Sequence, residues 1–398
     1  TSWTTLHSGF PSNYLYPLML DPHNMSTVYV GSDGHGVFKS DDQGATWTYG
    51  GGSALARKMG FAQDGTLYMG TEGTGLFRSD DDAATWANKS VGIAGADVQC
   101  AAIAPSDPNR IYVGWMALNG GGVYRSTDGG LSWETCPNLP NQRMISIDVH
   151  PTNPDIVYVG NAGPWSTSPK GIYKSTDGGD TWTDIGPYDA EGGGEVFRLM
   201  IHPQRPTEIV AGITEWLGDW SPQIFKSTDS GDTFNRVYEG DATQERWEAK
   251  DLICDPFDPD LYYVTMGHWE ADKGLVMRSD NQGDSWDPIT GGLTTFYELR
   301  ITADPCTPGT LYLSEYGFSG GNAPEIFIST DHGDTWTLWQ TFERATDVVA
   351  PGSCGEVMVA SGGIQRTVDS GTTWTAFNQG IDTNVRFLEL FTHWNNED

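Results

Sequence analysis

The sequence contains few basic residues, and this scarcity argues against some classes of binding partner. It contains 22 Lys and Arg residues against 53 Asp and Glu residues, which leaves a formal net charge of −31. A surface of this sign repels nucleic acid and anionic lipid at long range. No apolar run approaches the roughly 20 residues that a transmembrane helix needs. We therefore expect neither a nucleic-acid partner nor a membrane partner.

Cysteine is also scarce, and its spacing does not suggest a metal site. The five cysteines include no Cys-x-x-Cys pair, so we expect no zinc, and we predict no other metal or cofactor. Cys306 and Cys354 follow predicted strands at similar places in two successive repeats, and we predict a disulfide between them. We expect a monomer, in which at least one cysteine is then unpaired.

The sequence has neither an initiator methionine nor a signal peptide. It opens at Thr1-Ser2-Trp3, as a processed mature protein would, and from this we predict secretion to the extracellular space. Two Asn-x-Ser triplets, at Asn24 and Asn88, would be glycosylated in a eukaryotic host.

A repeat dominates what the sequence does contain. The pattern Ser-x-Asp-x-Gly-x-Thr-Trp recurs eight times, whole or slightly degraded, and successive copies start 39, 47, 49, 52, 52, 50 and 38 residues apart. Strand-like runs with period-two alternation lie between the copies, and no segment has helical periodicity. Such a period is typical of a β-propeller in which each unit forms one blade. The copies begin at Ser40, Ser79, Ser126, Ser175, Ser227, Ser279, Ser329 and Thr367.

The residues of the repeat suit a tight turn between the third and fourth strands of a unit. The Asp can accept backbone N–H groups, the Gly suits a positive φ, and the Trp can wedge between neighbouring sheets. Two copies are degraded, because Ala83 replaces the Gly and Asn281 replaces the Asp. We interpret all eight copies as scaffold and not as metal sites.

The predicted fold is all-β, a single β-propeller domain over residues 1–398 with four-stranded blades and the repeats on peripheral turns. Eight units favour eight blades, and seven blades are the alternative if one end unit packs irregularly. Residues 2–6 resemble an outer strand and Val385–Phe391 an inner strand, so these spare segments could close the ring. A propeller grows by adding blades around one axis, so a chain of this length needs no second domain. The predicted inner strands include Tyr16–Leu20, Val98–Ile103, Ile145–Val149, Phe197–Ile201, Lys250–Cys254 and Leu299–Thr302.

The repeat is identified as the Asp-box, and the chain resembles the Asp-box (BNR-repeat) propellers over nearly its whole length. These include sialidases, xyloglucan-active hydrolases, sortilin-type receptors and a photosystem assembly factor. The resemblance implies the fold but leaves the function open, because these families do unrelated things on one scaffold. Sialidases match poorly, since their arginine triad begins with Arg-Ile-Pro near the N-terminus and the first arginine here is Arg57.

The candidate site is the mouth, which we define as the face formed by the second-to-third-strand loops and the links from each outer strand to the next blade. We predict that these loops are short in units one, two and eight and long in units three to seven, and insertions on one face usually mark a binding face. Aromatic rings that stack on sugars, and charged groups that bind hydroxyls, concentrate there. We therefore expect a polysaccharide or oligosaccharide ligand. The predicted substrate-binding residues are Trp115, Trp165, Trp216, Trp220, His268, Trp269, Tyr316, Arg198, Arg246, Tyr297 and Arg300.

Four carboxylates on the same loops are the predicted catalytic residues, namely Asp33, Glu72, Glu215 and Glu270. The segment around Asp33 resembles the stretch Thr-Asp-Ile-Gly-Gly-Ala-Tyr-Arg that carries a catalytic aspartate in xyloglucan-active Asp-box hydrolases. Turn chemistry is the other explanation of Asp33. Those hydrolases place their second catalytic aspartate in a second propeller, for which this chain is too short. A second carboxylate would therefore have to come from the same ring.

These observations favour a secreted glycoside hydrolase that cleaves a plant or microbial polysaccharide with a carboxylate pair. A polysaccharide lyase is one alternative, in which His268 or Tyr297 is the base and Arg246 and Arg300 neutralise a uronate. A non-catalytic glycan-binding or protein-binding propeller is the other. It would have near-identical pockets in each blade, whereas an enzyme would concentrate unusual residues in one asymmetric funnel.

Overall fold

A computed structural model describes most of the chain, and every regular element in the described residues is a strand. No helix in these residues is long and apolar enough to cross a membrane. The described residues are 15–21, 24–32, 36–42, 46–52, 56–61, 65–71, 75–88, 97–117, 120–162, 171–187, 194–215, 221–240, 248–267, 274–293, 298–316, 325–341, 345–349, 357–361, 364–367, 369–371, 373–376 and 390–391.

In these residues the strands form eight sheets, seven of four strands and one of five, and each is a blade numbered in chain order. The strands of blades 1 to 4 are β1 (Leu15–Asp21), β2 (Asn24–Ser32), β3 (Gly36–Ser40), β4 (Thr48–Tyr49), β5 (Ala56–Phe61), β6 (Leu67–Thr71), β7 (Gly75–Ser79), β8 (Ala87–Asn88), β9 (Asp97–Ala104), β10 (Asp107–Ala117), β11 (Gly120–Ser126), β12 (Glu134–Thr135), β13 (Arg143–Val149), β14 (Val157–Ala162), β15 (Ile172–Ser175) and β16 (Thr183–Gly186). The strands of blades 5 to 8 are β17 (Gly194–Ile201), β18 (Ile209–Glu215), β19 (Pro222–Ser227), β20 (Asn235–Glu239), β21 (Glu248–Cys254), β22 (Tyr262–Gly267), β23 (Leu275–Ser279), β24 (Asp287–Pro288), β25 (Glu298–Ala303), β26 (Leu311–Tyr316), β27 (Glu325–Ser329), β28 (Thr337–Thr341), β29 (Ala345–Val349), β30 (Val357–Ser361), β31 (Ile364–Thr367) and β32 (Thr375–Ala376), and β33 (Leu390–Phe391) follows them.

The blades form a ring around their first strands, which contact one another from each blade to the next. The short strand β33 joins the first sheet by pairing parallel to β1, with Leu390 opposite Leu18, and it also contacts β29 of blade 8. The C-terminal inner strand therefore closes the ring, as predicted for Val385–Phe391, while residues 2–6 lie outside the described residues. The predicted all-β propeller is confirmed.

The hydrophobic cores lie between neighbouring blades. The core between blades 6 and 7, for example, contains Tyr263, Leu311 and Trp336, which are at most 4% exposed. The indole of Trp336 comes from the Asp-box of blade 7, and its Nε1 donates to the Ile289 carbonyl oxygen at 2.7 Å. Trp336 therefore wedges between blades as predicted for the box tryptophan, and its own polar atom is satisfied.

The Asp-box turns have the predicted hydrogen bonds. Asp177 accepts from the Thr181 backbone N–H at 2.9 Å, from the Thr181 hydroxyl at 2.6 Å and from the Ser175 hydroxyl at 2.8 Å. The bonds from Thr181, together with that from Ser175, lower the pKa of Asp177 to about 2. The degraded copies keep this geometry. Ala83 takes a positive φ of 64°, and Asn281 accepts from the Ser285 backbone while its amide donates to the Ser285 hydroxyl.

Cys306 is disulfide-bonded, as predicted. Its predicted partner, Cys354, lies outside the described residues. Cys100, Cys136 and Cys254 form no disulfide, and burial raises the pKa of the Cys136 thiol to about 12, so that thiol is unreactive at neutral pH.

Candidate functional site

The mouth of the ring is asymmetric, and blades 4 to 7 carry its long connections. In blade 4, β14 ends at Ala162 and β15 begins at Ile172, whereas in blade 1, β2 ends at Ser32 and β3 begins at Gly36. Blades 5, 6 and 7 resemble blade 4 in this respect, and blades 2 and 8 resemble blade 1. The predicted difference between short and long connections is confirmed for these seven blades.

The prediction of a long loop is wrong for blade 3, because the extra residues there extend the strands. The strands β10 and β11 stay paired up to Ala117 and Gly120. Trp115 lies opposite Gly122, where a Cβ atom would be 3.2 Å from the indole Nε1. The glycine leaves room for the indole beside the strand, so the pairing continues towards the mouth.

Trp115 is half-buried on this hairpin. Its ring stacks on Tyr124, with ring centroids 5.4 Å apart and planes 25° apart, so Tyr124 covers part of one indole face. The indole Nε1 is buried and has no hydrogen-bond partner among the described residues. Of the predicted sugar-binding aromatics, Trp115 has a described side chain, and it offers a sugar at most one open face.

The structure brings Arg198 and Arg300 together around Asp251, a residue that sequence reasoning missed. The Asp251 carboxylate lies 3.1 Å from Arg300 Nη1 and 3.9 Å from Arg198 Nη2. Arg300 also donates to the Lys250 carbonyl oxygen at 2.8 Å, and Asp251 accepts from the Ile301 backbone N–H at 3.1 Å. These groups join the first strands of blades 5, 6 and 7, so the two arginines have a structural role here.

A second inner carboxylate, Asp148, joins blades 4 and 5. It accepts from the backbone N–H groups of Ile201 at 2.8 Å and Val149 at 2.9 Å. Burial raises the pKa of Asp148 to about 6 despite these two bonds. Both oxygens are occupied by the backbone, which makes this carboxyl a link between strands and a poor candidate for acid–base chemistry.

Two other predicted site residues lie at strand ends. Glu215 is the last residue of β18, opposite Gly194, and Tyr316 is the last residue of β26, opposite Glu298. The structure therefore places their backbones at the mouth, although their side chains are not described. The remaining predicted site residues lie outside the described residues: Asp33, Glu72, Trp165, Trp216, Trp220, Arg246, His268, Trp269, Glu270 and Tyr297.

A group of amides at the mouth of blades 3 and 4 was also missed. Asn141 accepts from the Gly121 backbone N–H at 3.0 Å, and the Gln142 side chain accepts from the Asn161 amide. Asn161 in turn accepts from the Gly171 backbone N–H at 2.7 Å. We call Asn141, Gln142 and Asn161 the amide clamp. In the described part of the chain, no group of three or more His, Cys, Asp or Glu residues could hold a metal ion.

Two family models match the chain. One, described as Sortilin, neurotensin receptor 3, matches residues 74–191 and 121–251, and the other, described as BNR/Asp-box repeat, matches residues 327–338. The second match falls on the Asp-box of blade 7. Together the two models link the fold to both receptors and repeat proteins.

Curated relatives include bacterial xyloglucanases. A xyloglucanase of Paenibacillus sp is 26% identical over 311 residues, a match that covers 68% of this chain and 27% of that protein. A xyloglucanase of Acetivibrio thermocellus is 28% identical over 296 residues. This match covers 72% of this chain and 27% of that protein. The chain thus spans about a quarter of the length of these relatives.

A solved structure supports the fold. The crystal structure of the GH74 xyloglucanase from Xanthomonas campestris aligns with a TM-score of 0.51 and 18% identity, covering 91% of this chain and 66% of that one. At this identity the likeness shows the fold alone. With the BNR match and the distant xyloglucanase relatives, the chain is an Asp-box β-propeller that resembles xyloglucan-active enzymes.

Proposed function

We propose that this propeller is a glycoside hydrolase acting on a polysaccharide, and that xyloglucan is the first substrate to test. The observation that carries the proposal is the sequence similarity to two proteins named xyloglucanase. They align with 68% and 72% of this chain. The asymmetric mouth supports it, because an enzyme needs one distinct site and a repeated binding module does not. A polymer substrate of this kind lies outside cells, in agreement with the expected secretion.

The candidate carboxylates fall into two neighbouring pairs. By their positions between strands, Asp33 and Glu72 belong to blades 1 and 2, while Glu215 and Glu270 belong to blades 5 and 6. In a ring of eight sheets, blades 1 and 2 lie opposite blades 5 and 6. Glycoside hydrolysis needs two carboxyl groups roughly 5–9.5 Å apart. We therefore propose that the catalytic pair comes from neighbouring blades, not from across the ring.

The two carboxyls would divide the chemistry between them. One would be protonated and would donate its proton to the glycosidic oxygen as the bond to the sugar carbon breaks. The other would be ionised and would either deprotonate an attacking water or attack the sugar carbon itself. Mutual repulsion in an acidic mouth raises the pKa of one carboxyl above that of the other, which gives this division of roles.

The two alternatives have different support. A binding propeller is favoured by the match of residues 74–251 to the sortilin model, which covers parts of blades 2 to 6. The lyase alternative is weaker, because Arg300 already donates to Asp251 and to the Lys250 carbonyl oxygen. A uronate would have to compete with both partners for this guanidinium group.

The test is an assay for new reducing ends on plant and microbial polysaccharides, with four variants: D33N, E72Q, E215Q and E270Q. Two of them should lose at least about a hundredfold in turnover, the usual contribution of a general acid or base. These two should come from neighbouring blades. The matched control is D287N, which removes a carboxylate from the exposed outer strand β24, directly after the Asp-box turn of blade 6. Near-native turnover in all four variants would refute the assignment.

A further inference from the structure

Arg143 is unusual among the basic residues of this acidic chain. It is exposed, and its guanidinium group has no hydrogen-bond or ion-pair partner in the part of the chain that the structure describes. The other lysines and arginines with described side chains each interact with a carboxylate, a carbonyl oxygen or another partner. The five N–H donors of this guanidinium group therefore have no partner among the described residues.

The position of Arg143 is at the mouth. It is the first residue of β13, the inner strand of blade 4, and it pairs with Ala162, the last residue before the long blade 4 connection. The backbone around it is held firmly. Gln142, which precedes Arg143, is 3% exposed, and Met144, which follows it, is fully buried.

The amide clamp adds to this rigidity. Gln142 accepts from Asn161, and Asn161 fixes Gly171 at the far end of the blade 4 connection. On the other side, a Cβ atom at Gly121 would lie 2.2 Å from the Gln142 carbonyl oxygen, so the blade 3 hairpin packs directly against the residue before Arg143. An exposed guanidinium group on such a frame binds a ligand with little loss of backbone entropy.

We propose that Arg143 is a substrate-binding residue that donates to two adjacent hydroxyl groups of a neutral sugar unit. This inference rests on the proposed function and deepens it. The planar fork of an arginine matches two acceptors at once, which suits a pair of neighbouring hydroxyl oxygens. A neutral sugar fits better than an acidic one, because a chain with a net charge of −31 repels a polyanion as it approaches.

The test compares Arg143→Ala with Arg236→Ala as the matched control. Arg236 lies in the outer strand β20, opposite Phe225 of β19, and pairs with Glu239 at 3.0 Å. Binding of soluble polysaccharides is measured by retardation in affinity gels, and cleavage by new reducing ends. Arg143→Ala should weaken binding about tenfold or more, the value of a charge-assisted pair of hydrogen bonds. Arg236→Ala should leave binding unchanged.

Three further measurements separate direct contact from other effects. The thermal midpoint of Arg143→Ala should equal that of the wild type, because the side chain has no partner to lose among the described residues. Arg143→Lys keeps the charge without the fork and should bind nearly as weakly as the alanine variant. The loss should persist at high salt, since the ligand is uncharged. Full rescue by lysine, or a loss that disappears in salt, would overturn the proposal in favour of long-range attraction.

The outcomes for this inference and for the hydrolase are distinct. If the wild type cleaves a glycan and Arg143→Ala binds it as well as Arg236→Ala does, the role of Arg143 is refuted and the hydrolase stands. If the wild type binds a glycan without cleaving it and Arg143→Ala binds weakly, the role of Arg143 is supported and the hydrolase is refuted. A wild type that binds no glycan refutes both.

Discussion

Lys226 Nζ lies 2.6 Å from Asp284 Oδ1, and this contact joins blade 5 to the Asp-box turn of blade 6. The same relationship links Lys39 to Asp82 and Arg125 to Asp180, each time from one blade to the next box. The residue before the first box position is basic in seven of the eight copies. The residues at this position are Lys39, Arg78, Arg125, Lys174, Lys226, Arg278 and Arg366, with Ile328 as the exception. The first six of them contact the next box in the described part of the chain.

The two partners of this contact should differ in their effect on stability. The Lys226 side chain is 5% exposed and the Asp284 side chain 67% exposed. Lys226→Met removes the buried charge and leaves Asp284 in water, so we expect a loss of about 1 kcal/mol. Asp284→Ala leaves a buried ammonium without a partner, and we expect a larger loss of about 2–3 kcal/mol. Urea unfolding of both variants measures the difference, and a greater loss in Lys226→Met would contradict this account.

Acid should destabilise the turn at His202. Its Nδ1 accepts from the backbone N–H groups of Gln204 at 3.1 Å and Arg205 at 2.9 Å, and burial lowers its pKa. The unfolded chain takes up a proton near pH 6.5, whereas the folded chain resists it. The contribution of His202 is therefore complete above about pH 6.5 and is lost as the pH falls below that value.

The variant His202→Asn should reduce this acid sensitivity. At the same position in blade 6, Asp255 uses one carboxylate oxygen to accept from two backbone N–H groups, so an amide oxygen can hold the turn without titrating. Urea midpoints between about pH 7.5 and about pH 5 should fall less steeply in the variant than in the wild type. If the urea midpoints of the variant and the wild type fell equally steeply with pH, His202 would not titrate as inferred.

The sequence predicted the fold because the Asp-box is a local turn whose hydrogen bonds lie within the repeat. It could not predict Asp251 between Arg198 and Arg300, because those three residues lie on separate strands that meet only when the blades pack side by side. The longer strands of blade 3 depend likewise on the fit of Trp115 beside Gly122. The basic residue before seven of the eight boxes is visible in the sequence, but its contact with the next blade is not.

Much of the candidate site is still a prediction. The structure confirms where the long connections of blades 4 to 7 begin and end, and it places the backbones of Glu215 and Tyr316 there. Arg143 was not distinguishable in the sequence from the other basic residues. It has no partner in the described part of the chain, and this depends on the neighbours of each side chain, which the sequence does not show.

The predicted aromatic sugar-binding residues can be tested by substitution. Trp216→Ala and Trp269→Ala should each weaken glycan binding by about 1–3 kcal/mol, the cost of losing a stacked aromatic contact. Tyr49→Ala is the control, because Tyr49 is 60% exposed on the outer strand β4, away from the mouth. Affinity-gel retardation measures the change. Unchanged affinity in both tryptophan variants would move the site elsewhere.

The central claim, hydrolysis of a polysaccharide, is tested most directly by the masses of the products formed in heavy-oxygen water. A hydrolase adds one water molecule for each bond it cleaves, so one heavy oxygen atom should enter at each new reducing end, while the other fragment of the same bond gains only a proton. Apart from this label, the products should have the masses of saturated fragments. A lyase would give unsaturated fragments without added water. Unsaturated fragments, or a polymer recovered intact from every glycan tested, would contradict the proposed function.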